Sequence, residues 1–342
     1  MSDLSCRIDW KQLCPFRFKN PGLTVADDLT GFKFLAVCAL DLMIGDPRWL
    51  PHPVRLMGFI IHAYERLTLE RISSPWTKRT AGFVLAVGLP LGCFFVTQGI
   101  LEWAELVHEQ FGTVIWVVLG STTLAGRDLW VHAMRVHRAL RMGSLVSARV
   151  EIGRLVGRDT ADLSEEGIVR ATVESVSENT SDGIVAPIIY LALGGPACAM
   201  AYKAISTLDS MVGYRTDRYR DFGWASARAD DLVNWVPARL TAVAMSVAAA
   251  IRLGSGVSAW QICRRDAWRH PSPNSGWPEA AMAGALGVQL GGGNMYGGVL
   301  EVRARLGDPI TSCSMALIPV ALQVMGIAYG ILVMGIMAWV MW

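Results

Sequence analysis

The chain has 342 residues, 52% of them hydrophobic and only 18% charged, where a soluble domain carries roughly 25% charged residues. That composition excludes a disordered protein, a coiled coil and an ordinary cytosolic enzyme, and it points to an integral membrane protein. Lys and Arg number 31 against 29 Asp and Glu, so the formal charge of +2 gives no reason to expect a nucleic-acid partner.

In chain order, residues 1–30 are expected to form a polar N-terminal extension: no apolar stretch follows Arg7, Lys11, Arg17 and Lys19, so nothing there reads as a signal peptide. Residues 32–49 are apolar except for Lys33, Asp41 and Asp46. Residues 80–101 and 110–126 are free of charge and approach the ~20 residues a spanning helix needs. Residues 183–202 are equally uncharged, but Gly194-Gly195-Pro196 breaks a helix in their middle. Residues 236–253 are interrupted only by Arg239, whose head group can reach the interface. Residues 280–300 also lack charge, yet seven glycines and the run Gly291-Gly292-Gly293 make a buried glycine loop the expectation there. Residues 314–342 close the chain as a last apolar run. The fold expected is all-α, a polytopic α-helical integral membrane protein of four to six spans. Residues 31–342 form a single membrane domain with large polar cytoplasmic loops and room for broken or re-entrant helices.

Loop charge orients this scheme. Residues 50–79 carry five basic residues and residues 127–182 carry eight, all arginine, whereas residues 102–109 hold three acids and no base. The positive-inside rule places the two basic loops in the cytoplasm and the acidic link outside. If residues 183–202 and 236–253 both cross, the Arg-rich stretch 215–228 is external, against the rule; if neither crosses, the total falls to four. The seven cysteines form no CxxC pair, and Cys38, Cys93 and Cys198 lie in apolar runs as small hydrophobes.

Four stretches are more polar than a membrane scaffold requires. Asp46-Pro47 runs into Pro51-His52-Pro53 and Arg55, and two flanking prolines fix the backbone of His52. An interfacial turn would explain that much. Glu174, Glu178, Asn179 and Asp182 crowd a membrane boundary; a helix N-cap accounts for Ser181 or Asp182 but not for all four. Carboxylates mixed with an Asn oxygen suit Mg²⁺, and a helix N-terminus would favour an anion. Lys203 and Asp209 lead toward Asp230-Asp231, a pair equally at home on a solvated face. His270, Asn274 and Glu279 are framed by prolines, and the glycine run leads on to Asn294 and Tyr296. No Walker loop, GxGxxG, HExxH or GxSxG motif is present.

Taken together, GDPRWLPHPVRLMG (45–58), SENTSDGIVAPI (177–188), KAISTLDSMVGY (203–214) with DDLVNWVPARL (230–240), and HPSPNSGWPEAAMAGALGVQLGGGNMYGG (270–298) resemble the CobD/CbiB membrane family of cobalamin biosynthesis. The resemblance implies an ATP-dependent ligase of the bacterial cytoplasmic membrane with Mg²⁺ as companion of the nucleotide. It would join a propionate carboxylate of adenosylcobyric acid to aminopropanol or its O-phosphate, beside other late corrinoid-pathway proteins or a second copy of itself. Such chemistry would use Asp46, Glu178, Asp182, Asp209 and Asp230 as candidate metal ligands. Arg55 is a candidate phosphate binder, Asn179, Asn274, Asn294 and Tyr296 candidate substrate contacts, and His52, Lys203, His270 and Glu279 candidate catalytic groups. The rival expectation is a transporter of an anionic or corrinoid solute, since broken helices and an intramembrane Asp41 occur there too.

Overall fold

The structure, a computed structural model, describes residues 28–45, 52–214 and 216–340. Helix α1 (Asp28–Ile44) precedes α2 (Pro53–Leu69). His52 caps α2: its Nδ1 accepts the Val54 N–H at 3.3 Å, and Pro53 sits in the first turn, where a missing N–H costs nothing. In α3 (Pro75–Val107), Trp76 and Trp103 stand near opposite ends, about 40 Å apart along the axis and so at the spacing of two interfacial belts. Between them Phe83, Val87, Leu91, Phe95 and Val96 are exposed, as lipid-facing side chains are. The chain then turns back through α4 (Glu109–Ser121), and the Trp103–Phe111 ring contact at 5.9 Å fixes that return. Helices α5 (Gly126–Arg141) and α6 (Leu145–Ile152) follow.

Next, α7 (Glu165–Thr180) runs through one π-helical turn (Ser181–Val185) into α8 (Ala186–Val212). This segment is not a rod. Gly195, at φ 66° and ψ −165°, holds a backbone conformation open to glycine alone, and Pro196 starts a new limb. The Tyr202 hydroxyl donates to the Asp182 carbonyl at 3.1 Å, and its ring stacks on Tyr190 at 5.0 Å. On a straight helix Asp182 and Tyr202 would lie about 30 Å apart. The segment therefore doubles back at Gly194-Gly195, and both limbs end on the same side.

Helices α9 (Trp224–Val233) and α10 (Trp235–Leu253) come next. On α10, Val236, Leu240, Val243, Val247 and Ile251 form an exposed stripe while Pro237, Ala238, Thr241, Ala242 and Met245 are buried. An apolar face turned outward at helical spacing is the inverse of a soluble helix. Arg239 lies over the rings of Trp235 and Trp277, at 4.1 and 4.7 Å, and donates to the Trp235 carbonyl. Helices α11 (Gly256–Asp266) and α12 (Gly276–Leu286) pack back against α10, and Ser255 Oγ donates to the Ala285 carbonyl at 2.7 Å. Two antiparallel strands, β1 (Leu290–Tyr296) and β2 (Val299–Leu306), precede the final α13 (Leu317–Val340).

Among the described residues, five segments are long and apolar enough to cross a membrane: Pro75–Val107, Glu109–Arg141, Glu165–Val212, Trp235–Leu253 and Leu317–Trp339. Five falls inside the expected four to six, and the fold is mostly helical. Residues 32–49 are not among them; α1 is a 17-residue helix. The expected glycine loop at residues 280–300 is corrected to the end of α12 followed by a hairpin. Its glycines cannot hold a helix cheaply, as expected, but they do hold a strand. At Gly291 (φ 82°) the strands shift register, and a Cβ there would lie 2.2 Å from the Ala304 carbonyl oxygen. Residues 216–228 of the Arg-rich stretch also find their place. Arg79 Nε donates to Asp221 Oδ1 at 2.8 Å, so this stretch lies against the start of α3, beside the other basic loop. Because the chain doubles back within residues 183–202, this stretch comes to the same side as the start of α3, as the charge rule asks.

Cysteine labelling tests the orientation. Arg141→Cys is expected to resist an impermeant reagent in intact cells, while Glu105→Cys on the acidic link reacts; both side chains are exposed. Labelling of Arg141→Cys from outside would reverse the assignment.

Candidate active site

Glu174, Glu178 and Asp182 recur every fourth residue and so share one face of the α7 helix and its π turn. A π turn leaves helix carbonyls short of donors and often marks a functional position. Here the Gly183 carbonyl takes the Ala125 N–H at 2.9 Å and the Asp182 carbonyl takes the Tyr202 hydroxyl. Asp182 thus lies inside a continuous helix, not at an N-cap, and the expectation of a helix N-terminus there is corrected. Because α8 doubles back, Ser206, Asp209 and Ser210 on its second limb face that acidic stripe. Asp230 from α9, Glu279 from α12, Tyr296 and Arg303 from the hairpin and Arg158 from the loop after α6 complete the wall. Together they enclose a cavity of about 410 Å³.

The carboxylates in this wall are held at a cost. Burial and the nearby Asp209 charge push the Asp230 carboxyl up to about 8. Its Oδ1 accepts from Asn234 Nδ2 at 3.0 Å, and Asn234 Oδ1 accepts from Tyr202, so a relay of three side chains fixes it. Burial first, then the charges of Glu174 and Glu178, drives the Glu279 carboxyl well above its usual range. His270 sits beside it, Nε2 3.8 Å from Glu279 Oε1, and burial lowers the His270 pKa. His270 Nδ1 lies 3.1 Å from the Ser272 N–H and 3.3 Å from the Ser272 carbonyl, and its Nε2 is buried on the side of Glu279.

Of the residues singled out from the sequence, Glu178, Asn179, Asp182, Asp209, Asp230, Glu279 and Tyr296 line this one cavity. Three more stand just behind it. His270 touches Glu279, Asn274 Nδ2 donates to the Asp231 carbonyl at 2.9 Å, and Asn294 Oδ1 accepts from Arg158 at 2.7 Å. Lys203 shares the second limb of α8 but is not in the lining, and His52, the cap of α2, and Arg55 in its first turn lie outside it. Asp46 lies outside the described residues. Among the described residues, no three His, Cys, Asp or Glu side chains converge as a preformed metal cage.

Arg158 and Arg303 went unrecognised in the sequence. Arg158 was one of eight loop arginines that spoke only for topology; in the fold it is buried, donating to Glu174 and Asn294. Arg303 had a signal, since Leu300-Glu301-Val302-Arg303-Ala304-Arg305 alternates apolar and charged residues as a strand does. Glu174 in turn accepts the Gly291 N–H at 2.7 Å, so one carboxylate joins α7, the arginine loop and the hairpin.

Comparison with known proteins fits this arrangement. The family model described as CobD/Cbib protein matches residues 34–325. The chain is 48% identical over 280 residues to the cobalamin biosynthesis protein CobD of Geobacter metallireducens, covering 82% of this chain and 87% of that one. It is 43% identical over 289 residues to the cobalamin biosynthesis protein CbiB of Salmonella typhimurium, covering 84% and 91%. No solved structure matches. The segments that bring the acidic stripe, the second limb of α8, α12 and the first strand to one cavity are the ones that carried the resemblance, and the chain belongs to the CobD/CbiB family of cobalamin biosynthesis proteins.

Proposed function

We propose that this cavity catalyses ATP-dependent amide formation between a propionate carboxylate of adenosylcobyric acid and the amine of aminopropanol or its O-phosphate, at the bacterial cytoplasmic membrane. The observation that carries this reading is a single cavity in which Glu178, Asp182, Asp209 and Asp230 face Arg158 and Arg303. A carboxylate is a poor electrophile, so activation, most simply as an acyl phosphate, must precede attack by the amine. Glu178 and Asp182 are the residues placed to hold Mg²⁺. The lack of a three-ligand cage suits that ion, which binds through one or two carboxylates plus substrate phosphates and water. When bound, Mg²⁺ would neutralise phosphate charge. Arg303 adds a guanidinium whose Nε is buried without a hydrogen bond, and Arg fits phosphate oxygens two at a time.

The amine must lose a proton before it can attack. Asp230, lifted to about 8, is matched to take that proton near neutral pH, and the Tyr202–Asn234 relay keeps it in position. His270 and Glu279, whose carboxyl burial pushes well above its usual range, stand side by side to hydrogen-bond an oxyanion or the amide edge of the corrin ring. The test is direct: purified protein with adenosylcobyric acid, aminopropanol phosphate and Mg-ATP should yield the conjugated corrinoid by mass spectrometry. The doubled-back helix also suits a transporter. A folded, lipid-supplied preparation that makes no conjugate but moves corrinoid into vesicles would establish that reading instead.

A further inference from the structure

The Gly291–Glu174 hydrogen bond links the wall of the carboxylate cavity to the wall of a second one, of about 430 Å³. Its polar lining comes from Glu166 and Arg170 of α7, Gln289 and Arg305 of the hairpin, and Thr311 and Ser312 of the loop before α13. Two guanidinium groups thus oppose one carboxylate. Glu166 stands one turn before Arg170, yet among the described residues no ion pair joins them, and both charges act on the Cys313 thiol at the cavity edge. The Arg170 Nε is buried without an acceptor. Arg170 as a whole is half-buried and Arg305 is exposed, so both guanidinium groups stay open to a ligand, and an outside acceptor would satisfy the buried Nε.

The remaining donors are already set. Arg305 donates to Gln289 Oε1 at 3.1 Å, and Gln289 donates onward to the Gly307 carbonyl at 3.3 Å. The loop carrying Thr311 and Ser312 is pinned where the Ile310 and Thr311 N–H groups both donate to the Gly287 carbonyl, at 3.0 and 2.7 Å. Two forked guanidinium groups and two hydroxyls supply more donors than the two oxygens of a carboxylate can use. They match the three terminal oxygens of a phosphate monoester.

We propose that this second cavity is a phosphate-binding site, taking the terminal phosphoryl group of a phosphorylated small molecule through Arg170 and Arg305. The site deepens the ligase reading, which supplies two sources for that group, the nucleotide and a phosphorylated amino alcohol. The geometry of the site stands without that reading.

Calorimetry on the full-length protein in lipid nanodiscs would use three probes: inorganic phosphate, ATP without Mg²⁺, and 1-amino-2-propanol O-phosphate. At least one is expected to bind, and to bind at least tenfold more weakly to Arg170→Gln and to Ser312→Asp, with Arg264→Gln unchanged. Ser312 and Arg264 are exposed, so both of those substitutions leave the fold intact. Whichever of the two esters shows the loss names the source. Wild-type-like affinities in both Arg170→Gln and Ser312→Asp, or no binding of any probe to wild type, would overturn the site. Arg170-dependent binding in a protein that makes no conjugated corrinoid would leave the site standing and remove the ligase reading. Conjugate formation with binding indifferent to Arg170 would do the reverse.

Discussion

Asp230→Asn is expected to lower conjugate formation by at least ~100-fold while raising the melting temperature by a few degrees. The two effects have one origin. Asp230 shares a buried wall with Glu178, Asp182 and Asp209; burial first, then the charges of Asp209, Asp231 and Glu178, lifts its carboxyl to about 8. Asparagine keeps the Oδ1 that accepts from Asn234 and removes the charge, so the relay survives and the repulsion falls by on the order of 1 kcal/mol. It cannot accept the proton of the ammonium group. Differential scanning fluorimetry alongside product detection checks both halves. A variant with lowered stability and intact turnover would show that Asp230 is a structural group.

Arg158→Met should have the largest effect on stability, about 3–5 kcal/mol, because it strands Glu174 as an uncompensated buried charge. The loss extends beyond the pair. Arg158 also donates to Asn294, and Glu174 holds the Gly291 N–H, so both anchors of β1 on this side loosen together. The hairpin carrying Tyr296 and Arg303 then swings away from the cavity. Limited proteolysis should show new cleavage near Gly297-Gly298 in the variant and protection in the wild type. An unchanged cleavage pattern would mean that the hairpin is held by its strand pairing and by the contacts of Asp159 to Met295 and Gly298.

The sequence made some of this legible and hid the rest for physical reasons. Long uncharged runs report spans, because nothing else in a chain demands 20 apolar residues in a row. Gly194-Gly195-Pro196 likewise reported a break, since helical dihedrals are lost at both glycines. The direction taken after the break was not legible. That depends on Tyr202 meeting Asp182 and Tyr190, which no local pattern encodes. Glu178, Asp182, Asp209 and Asp230 were visible as acids in apolar surroundings, but their convergence follows from the doubling back. Two prolines beside His52 read as a device that positions the ring, and its Nδ1 caps α2. Gly291-Gly292-Gly293 masked the hairpin: glycines carry no alternation of their own, and the strand signal lay in its partner.

The turn at Gly194-Gly195 also bears on how the chain is assembled during synthesis. A Cβ placed on Gly195 would lie 3.4 Å from Trp116 Nε1, so the tip of the doubled-back unit docks on α4, which leaves the ribosome well before it. Neither limb needs to halt in the translocation channel as an independent anchor, and neither exposes its acids to the far compartment. The pair can slide in as a closed loop from the side on which it was made, once α3 and α4 have formed the cradle. Ribosome-arrested chains long enough to bring Val212 clear of the exit tunnel should therefore already hold the hairpin against α4. A chain whose α4 is replaced by a neutral polyleucine span should insert the same number of anchors yet leave residues 183–205 open to protease.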